Sequence, residues 1–206
     1  MEVQGEAWGG GAWGGFSLEV RGEARAPYLE PLAFRGRVWW EEGVRYRLEG
    51  PVALEGEGLA YRGRFRLPFR LLGREGWVQG DFQGEGLRVL GEGEGRLGGL
   101  PFAFRGGYAG GLSLGLDYAG GRVEVRGEEV AFALEEVAPL GEALGLALSG
   151  EAAGRVSLGG EGEAWARVRY GSEPLEVDYG EGVLRLFLPG RGWAWPGGRP
   201  GGRWRG

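Results

Sequence analysis

The chain has 206 residues, 42% of them hydrophobic and 26% charged, with a formal net charge of -5, enough for a substantial hydrophobic core. It contains no His, no Cys and no Lys, so all 24 basic residues are Arg. That alphabet excludes Ser-His-Asp and Cys-His pairs, thiolate zinc sites, Schiff-base lysines and the phosphate-loop lysine.

Net acidity argues against a dedicated nucleic-acid binder. No apolar run approaches the roughly 18 residues of a spanning helix. The start, "MEVQGEAWGG", has neither the basic nor the apolar region of a signal peptide. The 48 glycines follow no collagen period and sit among abundant aliphatic and aromatic residues, so they read as punctuation between elements.

Period-2 alternation, the mark of a half-buried strand, runs from about residue 16 to residue 188. The first strands are predicted at 16–21 and in "LAFRGRV", 32–38. Next, Val44, Tyr46 and Leu48 alternate with Arg45, Arg47 and Glu49. The phrase then returns as "LAYRGRF", 59–65: Leu59 and Tyr61 face inward, Gly63 permits a turn or bulge, and Phe65 resumes the apolar face. Phe65, Leu67 and Phe69 oppose Arg64, Arg66 and Arg70, with Pro68 marking an edge or a strand end. A strand at 87–90 precedes the third copy, "FAFRGGY", 102–108.

Strands continue at 112–118, 122–126 and 128–134, placing Val123, Val125, Val130, Phe132 and Leu134 on the apolar side. A helix is predicted near 136–145, because Val137, Leu140 and Leu144 have helical spacing, Glu135 and Glu136 suit the amino-terminal dipole, and Pro139 comes early. Strands resume at 155–158, with Val156 and Leu158 inward, and in "GEAWARVRYG", where Ala164, Ala166, Val168 and Tyr170 oppose Glu163, Trp165, Arg167 and Arg169. The last are 175–179, with Leu175 and Val177 inward, and 183–188, with Leu184 and Leu186 inward. "GEGEG", "YAGG" and "YGEG" read as tight turns. From residue 190 the tail "GRGWAWPGGRPGGRWRG" loses periodicity and is expected to be disordered or loosely packed.

"GEGRLG", 93–98, matches the dinucleotide pattern G-x-G-x-x-G, but no helix comes after it to hold a pyrophosphate. "GLSLG" around Ser113 matches the nucleophile elbow, yet no histidine exists to serve as its base. Asp81, Asp117 and Asp178 are the candidates for a carboxylate-based glycosidase. Asp117 and Asp178 precede Tyr in the matching phrases "LDYAGGRVEV" and "VDYGEGVLRL", where turn chemistry explains them. The nine Trp suit either the girdle of a membrane barrel or packing, and expected strand lengths of about 5 to 8 residues fall short of the roughly 9 to 11 of spanning strands.

The stretch "VAPLGEALGLALSGEAAGRVSLGG", 137–160, resembles the TamB family, periplasmic partner of the translocation and assembly module, and more broadly the AsmA-like bridge lipid-transfer proteins. In that family an "apl" segment is followed by l-s-G-x-x-x-G-x-v-x-l-x-G, and Leu148, Ser149, Gly150, Gly154, Val156, Leu158 and Gly160 occupy those positions. The resemblance implies an all-β fold: a long curled antiparallel sheet, a β-taco half-pipe, of short glycine-punctuated strands with one short helix. The half-pipe is expected over 1–189, with 190–206 as a separate tail. The family's anchor is missing, so the chain is expected to be a piece of a longer protein.

By the same resemblance, the chain is expected to act as a non-enzymatic conduit moving phospholipids across the bacterial periplasm toward the outer membrane, with no metal and no cofactor. Its expected partners are phospholipid acyl chains and an outer-membrane assembly barrel like TamA. The expected lipid-binding residues are the inward set named above: Leu59, Tyr61, Phe65, Leu67, Val123, Val125, Val130, Phe132, Leu134, Val156, Leu158, Val168, Leu175, Val177, Leu184 and Leu186. Two other readings stand beside it: a closed β-sandwich or solenoid with a structural or adhesive surface role, which would bury the same alternating faces, and a carbohydrate-active enzyme, which would instead need a polar cleft with converging carboxylates.

Overall fold

The computed structural model describes residues 2–12, 14–25, 30–40, 42–188 and 191–196. It is all-β, with seventeen strands and one short helix among the described residues. The chain divides into two compact units, Met1–Leu97 with Arg105–Gly110 and Gly98–Phe104 with Gly111–Gly206. Strand β9 (Leu100–Tyr108) contributes to both.

The first unit is a meander of eight strands. These are β1 (Glu2–Ala12), β2 (Gly15–Arg25), β3 (Leu32–Trp40), β4 (Val44–Glu49), β5 (Val52–Glu57), β6 (Ala60–Leu71), β7 (Arg74–Glu85) and β8 (Arg88–Leu97). Each pairs antiparallel with the next. Tight two-residue turns set the registers. Gly58 and Gly86, at φ 60 and 59, take the first central position of turns whose flanking pairs are Glu57 with Ala60 and Glu85 with Arg88, as primed hairpin geometry requires.

The second unit continues with β10 (Leu112–Tyr118), β11 (Gly121–Arg126), β12 (Glu129–Leu134), α1 (Ala138–Leu144), β13 (Leu148–Ser157), β14 (Gly162–Tyr170), β15 (Glu173–Gly180), β16 (Val183–Leu188) and β17 (Arg191–Pro196). Consecutive strands from β10 to β17 are again antiparallel neighbours. The sheet therefore runs into the aperiodic tail as far as Pro196; residues 189, 190 and 197–206 lie outside the described residues.

Several strands are longer than the alternation suggests. β6 and β7 have 12 residues each and β13 has 10, so strand length does not separate this chain from a spanning barrel. "GEGEG" lies inside β8, and Gly63 in the middle of β6; neither is a turn. Pro68 also sits within β6. Its amide direction matches that of Arg66, which donates to Pro51 O at 2.8 Å, but β5 has ended by then. The missing N–H of Pro68 thus falls where no neighbour needs it.

The helix matches its expected position, although its buried face is Gly141 and Ala143. Gly145 closes it in the left-handed conformation at φ 75, the usual role of glycine after a helix. Gly141 has to be small, since a methyl there would lie 2.8 Å from Leu146 O and 2.9 Å from Leu148 Cβ. Glu136 fastens the helix to the sheet: its carboxylate accepts Ala138 N–H at 2.9 Å and Gly150 N–H at 3.1 Å. Its backbone N–H donates to Gly120 O at 3.0 Å, while Val137 N–H donates to Gly150 O at 2.8 Å.

Candidate functional site

Residues paired across neighbouring strands share a face, so the registers sort every strand into two sides. In β2 to β4, Val20 pairs with Gly36, Gly22 with Phe34, Val38 with Tyr46 and Gly36 with Leu48. The set continues across β6 and β7 as Tyr61 with Gly84, Gly63 with Phe82, Phe65 with Gly80 and Leu67 with Val78. Within the paired strands of the first unit, this face carries only apolar residues and glycine, apart from Arg74 at a hairpin end.

The opposite face is charged. Arg21 pairs with Glu6 at 2.7 Å, Arg37 with Glu19 at 2.9 Å and Arg70 with Glu75 at 3.1 Å. These pairs are exposed and contribute little individually; they keep the face wet. Trp8 and Trp77 also lie on this side, under Arg21 and Arg66 at 5.2 and 5.9 Å, and Trp165 lies on the charged side of β14 in the second unit, under Arg167 at 5.5 Å. They stack on cations, whereas a lipid-facing girdle would place them on the apolar side.

The repeated phrase now has a structural meaning. Its aromatic (Phe34, Tyr61 or Phe104) lies on the apolar side of its strand. Its Arg then pairs across the charged face: Arg35 with Glu49 at 3.1 Å, Arg62 with Glu55 at 2.7 Å and Arg105 with Glu92 at 3.1 Å. Its Gly returns to the apolar side, and at Gly36 and Gly63 a larger neighbour occupies the missing side chain's space. A methyl on Gly63 would lie 2.6 Å from the Phe82 ring; on Gly36 it would collide with Leu48.

Tyrosines extend the same device. Tyr46 lies over Gly56 and Tyr61 over Gly84, and each hydroxyl donates to a carbonyl beyond, Tyr46 to Ala60 O at 3.3 Å and Tyr61 to Arg88 O at 3.1 Å. In the second unit Tyr179 donates to Gly160 O, and Tyr118 to Glu136 O at 3.4 Å. Every such polar atom is thereby satisfied without a charge entering the apolar face. Burial, with the Glu136 carboxylate adding to it, pushes the Tyr118 phenol above its ordinary pKa.

The second unit has its own apolar face. Val123 pairs with Phe132, Val125 with Val130, Val130 with Val156 and Gly121 with Leu134. Beyond the helix, Val168 pairs with Leu175, Ala166 with Val177, Val177 with Leu186 and Tyr179 with Leu184. Fourteen of the sixteen expected residues thus lie on the apolar face of their own unit and are half-buried. Leu59 and Leu158 do not. They are in turns, 70% and 78% exposed, Leu59 because Gly58 initiates the β5–β6 turn and Leu158 because β13 ends at Ser157.

The alternation singled out Phe69 but not Phe34, Val78 or Phe82, which lie on the same face of the first unit. The signal for them was an aromatic or branched residue facing glycine on the adjacent strand, which requires the register. Asp81, Asp117 and Asp178 all lie on charged sides. Asp117 pairs with Arg122 at 2.5 Å, and Asp178 sits opposite Trp165 and Arg185. Asp117 on β10 and Asp178 on β15 are five strand spacings apart, about 24 Å. No group of three or more metal-ligating side chains occurs among the described residues, nor does any helix long and apolar enough to cross a membrane.

A second layer is largely missing from both faces. Among the described residues, buried apolar side chains are confined to Leu97, Leu100, Val137, Ala143 and Ala152, and α1 on β13 is the main packing that is not strand beside strand. No family model, curated protein or solved structure matches the chain. The likeness to TamB therefore rests on the residue pattern alone.

Proposed function

We propose that this chain is a segment of a non-enzymatic lipid conduit of the TamB type, its apolar face lying along phospholipid acyl chains in the periplasm on their way to the outer membrane. The observation that carries the reading is a continuous apolar face in each unit, almost free of charge and left without a covering layer apart from α1 against β13 of the second unit. Each methylene taken out of water is worth about 0.8 kcal/mol, so such a face holds an acyl chain with no reacting group. In-strand glycines favour local coiling toward this face: a methyl at Gly5 would meet Arg21 O at 2.7 Å, and one at Gly154 Glu163 O at 2.8 Å. A barrel partner at the outer membrane belongs to the same proposal.

The test pairs bound phospholipid, by native mass spectrometry of the purified protein, with melting temperature. Phe132→Glu and Val168→Arg are expected to lose lipid while remaining folded; Arg167→Glu, on the charged face, is expected to keep it. A closed sandwich would instead lose its fold, because an unpaired charge between sheets costs several kcal/mol. Absence of phospholipid from the parent protein would overturn the proposal.

A further inference from the structure

The charged side of the first unit contains a concavity that the lipid reading does not use. Its floor is made of the small residues Gly10 and Ser17, with Trp8 on one side and Trp39 on the other. Ser17 lies directly opposite Trp39 and next to the row in which Glu19 faces both Trp8 and Arg37. Trp8 on β1 and Trp39 on β3 are two strands apart, roughly 10 Å across the sheet, about the length of two linked sugar rings.

The cations beside this floor are arranged unfavourably for the protein alone. Arg37 stands directly opposite Arg47, and Arg21 directly opposite Arg35, whereas like charges at facing positions repel. Glu6, Glu19 and Glu49 neutralise Arg21, Arg37 and Arg35 at 2.7, 2.9 and 3.1 Å. Arg47 is left with a 3.8 Å approach to the already engaged Glu49, and Glu55, directly opposite it on β5, is held by Arg62 at 2.7 Å. With Arg62 and Glu55 included, five guanidiniums share four carboxylates, and the Arg47 fork keeps donors for another anion.

We propose that this cleft binds an acidic oligosaccharide, with sugar rings on the two indoles and a uronate carboxylate on the Arg37 and Arg47 pair. Indole faces present flat apolar surface to a sugar ring, the small floor lets the ring approach the sheet, and a planar guanidinium matches a carboxylate bidentately. The site is independent of the apolar face and stands or falls separately.

Isothermal titration of the full chain with a galacturonate trimer tests it, beside maltotriose as the neutral trimer and inorganic phosphate as the bare anion. Expected is saturable 1:1 binding of the acidic trimer, and at least tenfold weaker binding of both controls. Arg47→Gln and Trp39→Ala are each expected to weaken it about tenfold with unchanged circular dichroism. Ser17→Phe, which fills the floor and leaves the cations in place, is expected to abolish it, and it decides the matter if Arg47→Gln fails to fold. No binding of the acidic trimer, equal binding of maltotriose, or phosphate binding as tightly with Trp39→Ala without effect would each overturn the proposal.

Discussion

At Gly63 the sheet has no room for even one more carbon, since the Phe82 ring would be 2.6 Å from it. Gly63→Val is therefore expected to cost about 1–3 kcal/mol, the usual range for overpacking, read as a lower urea midpoint. Gly10, with open space around its missing side chain, is the control, and Gly10→Ser is expected to change stability by less than about 0.5 kcal/mol. Equal effects at the two positions would remove the aromatic-over-glycine account.

Glu136 gives a pH test. Hydrogen bonds from the backbone N–H of Ala138 and then of Gly150 hold its carboxyl below the ordinary range. A depressed folded pKa stabilises the fold above the unfolded value, near about 4.3, and that stability disappears as pH falls through the folded value. Urea midpoints of the parent and Glu136→Gln are expected to differ by a constant amount from pH 7 to about 5, and to converge at lower pH. A constant gap down to pH 2 would contradict the assignment.

At the scale of elements, 112–118 and 183–188 were legible to the residue, and the helix to within two, because alternation and helical spacing are local signals. Strand β7, by contrast, reads as "REGWVQGDFQGE", with three glycines and polar residues throughout. Its apolar side is only Gly76, Val78, Gly80, Phe82 and Gly84, visible once β6 supplies Phe69, Leu67, Phe65, Gly63 and Tyr61 opposite them. "GEGEG" misleads for the same reason: glycine opposite a bulky neighbour looks like a turn until the neighbour is known. The apolar face was legible because alternation is written along each strand, and the charged cleft was not, since facing Arg37 with Arg47 depends on the β3–β4 register. For the helix, Gly141→Leu is expected to lift α1 from β13 and lower the melting temperature, with far-ultraviolet circular dichroism still β-dominated; an unchanged melt would show that the Gly141 contact is dispensable.

At the scale of the whole chain, apolar faces without a covering layer are expected to bind a hydrophobic dye such as anilinonaphthalene sulfonate in the native state at neutral pH. Phospholipid vesicles should then displace the dye. A native protein dark to the dye, with its circular dichroism intact, would mean that these faces are covered in solution.

The strand-after-strand order within each unit also bears on how the protein is made. Every register in β1–β8 and β10–β17 joins neighbours in sequence, mostly across turns of two to four residues. Such low contact order speeds folding, because little chain entropy is lost before each new pairing is rewarded. A polypeptide emerging lengthwise from a narrow passage needs nothing that has not yet arrived: each hairpin zips onto the edge left by its predecessor. Assembly is thus matched to delivery one residue at a time, and at each step the growing edge, rather than a completed core, is the template for the next strand.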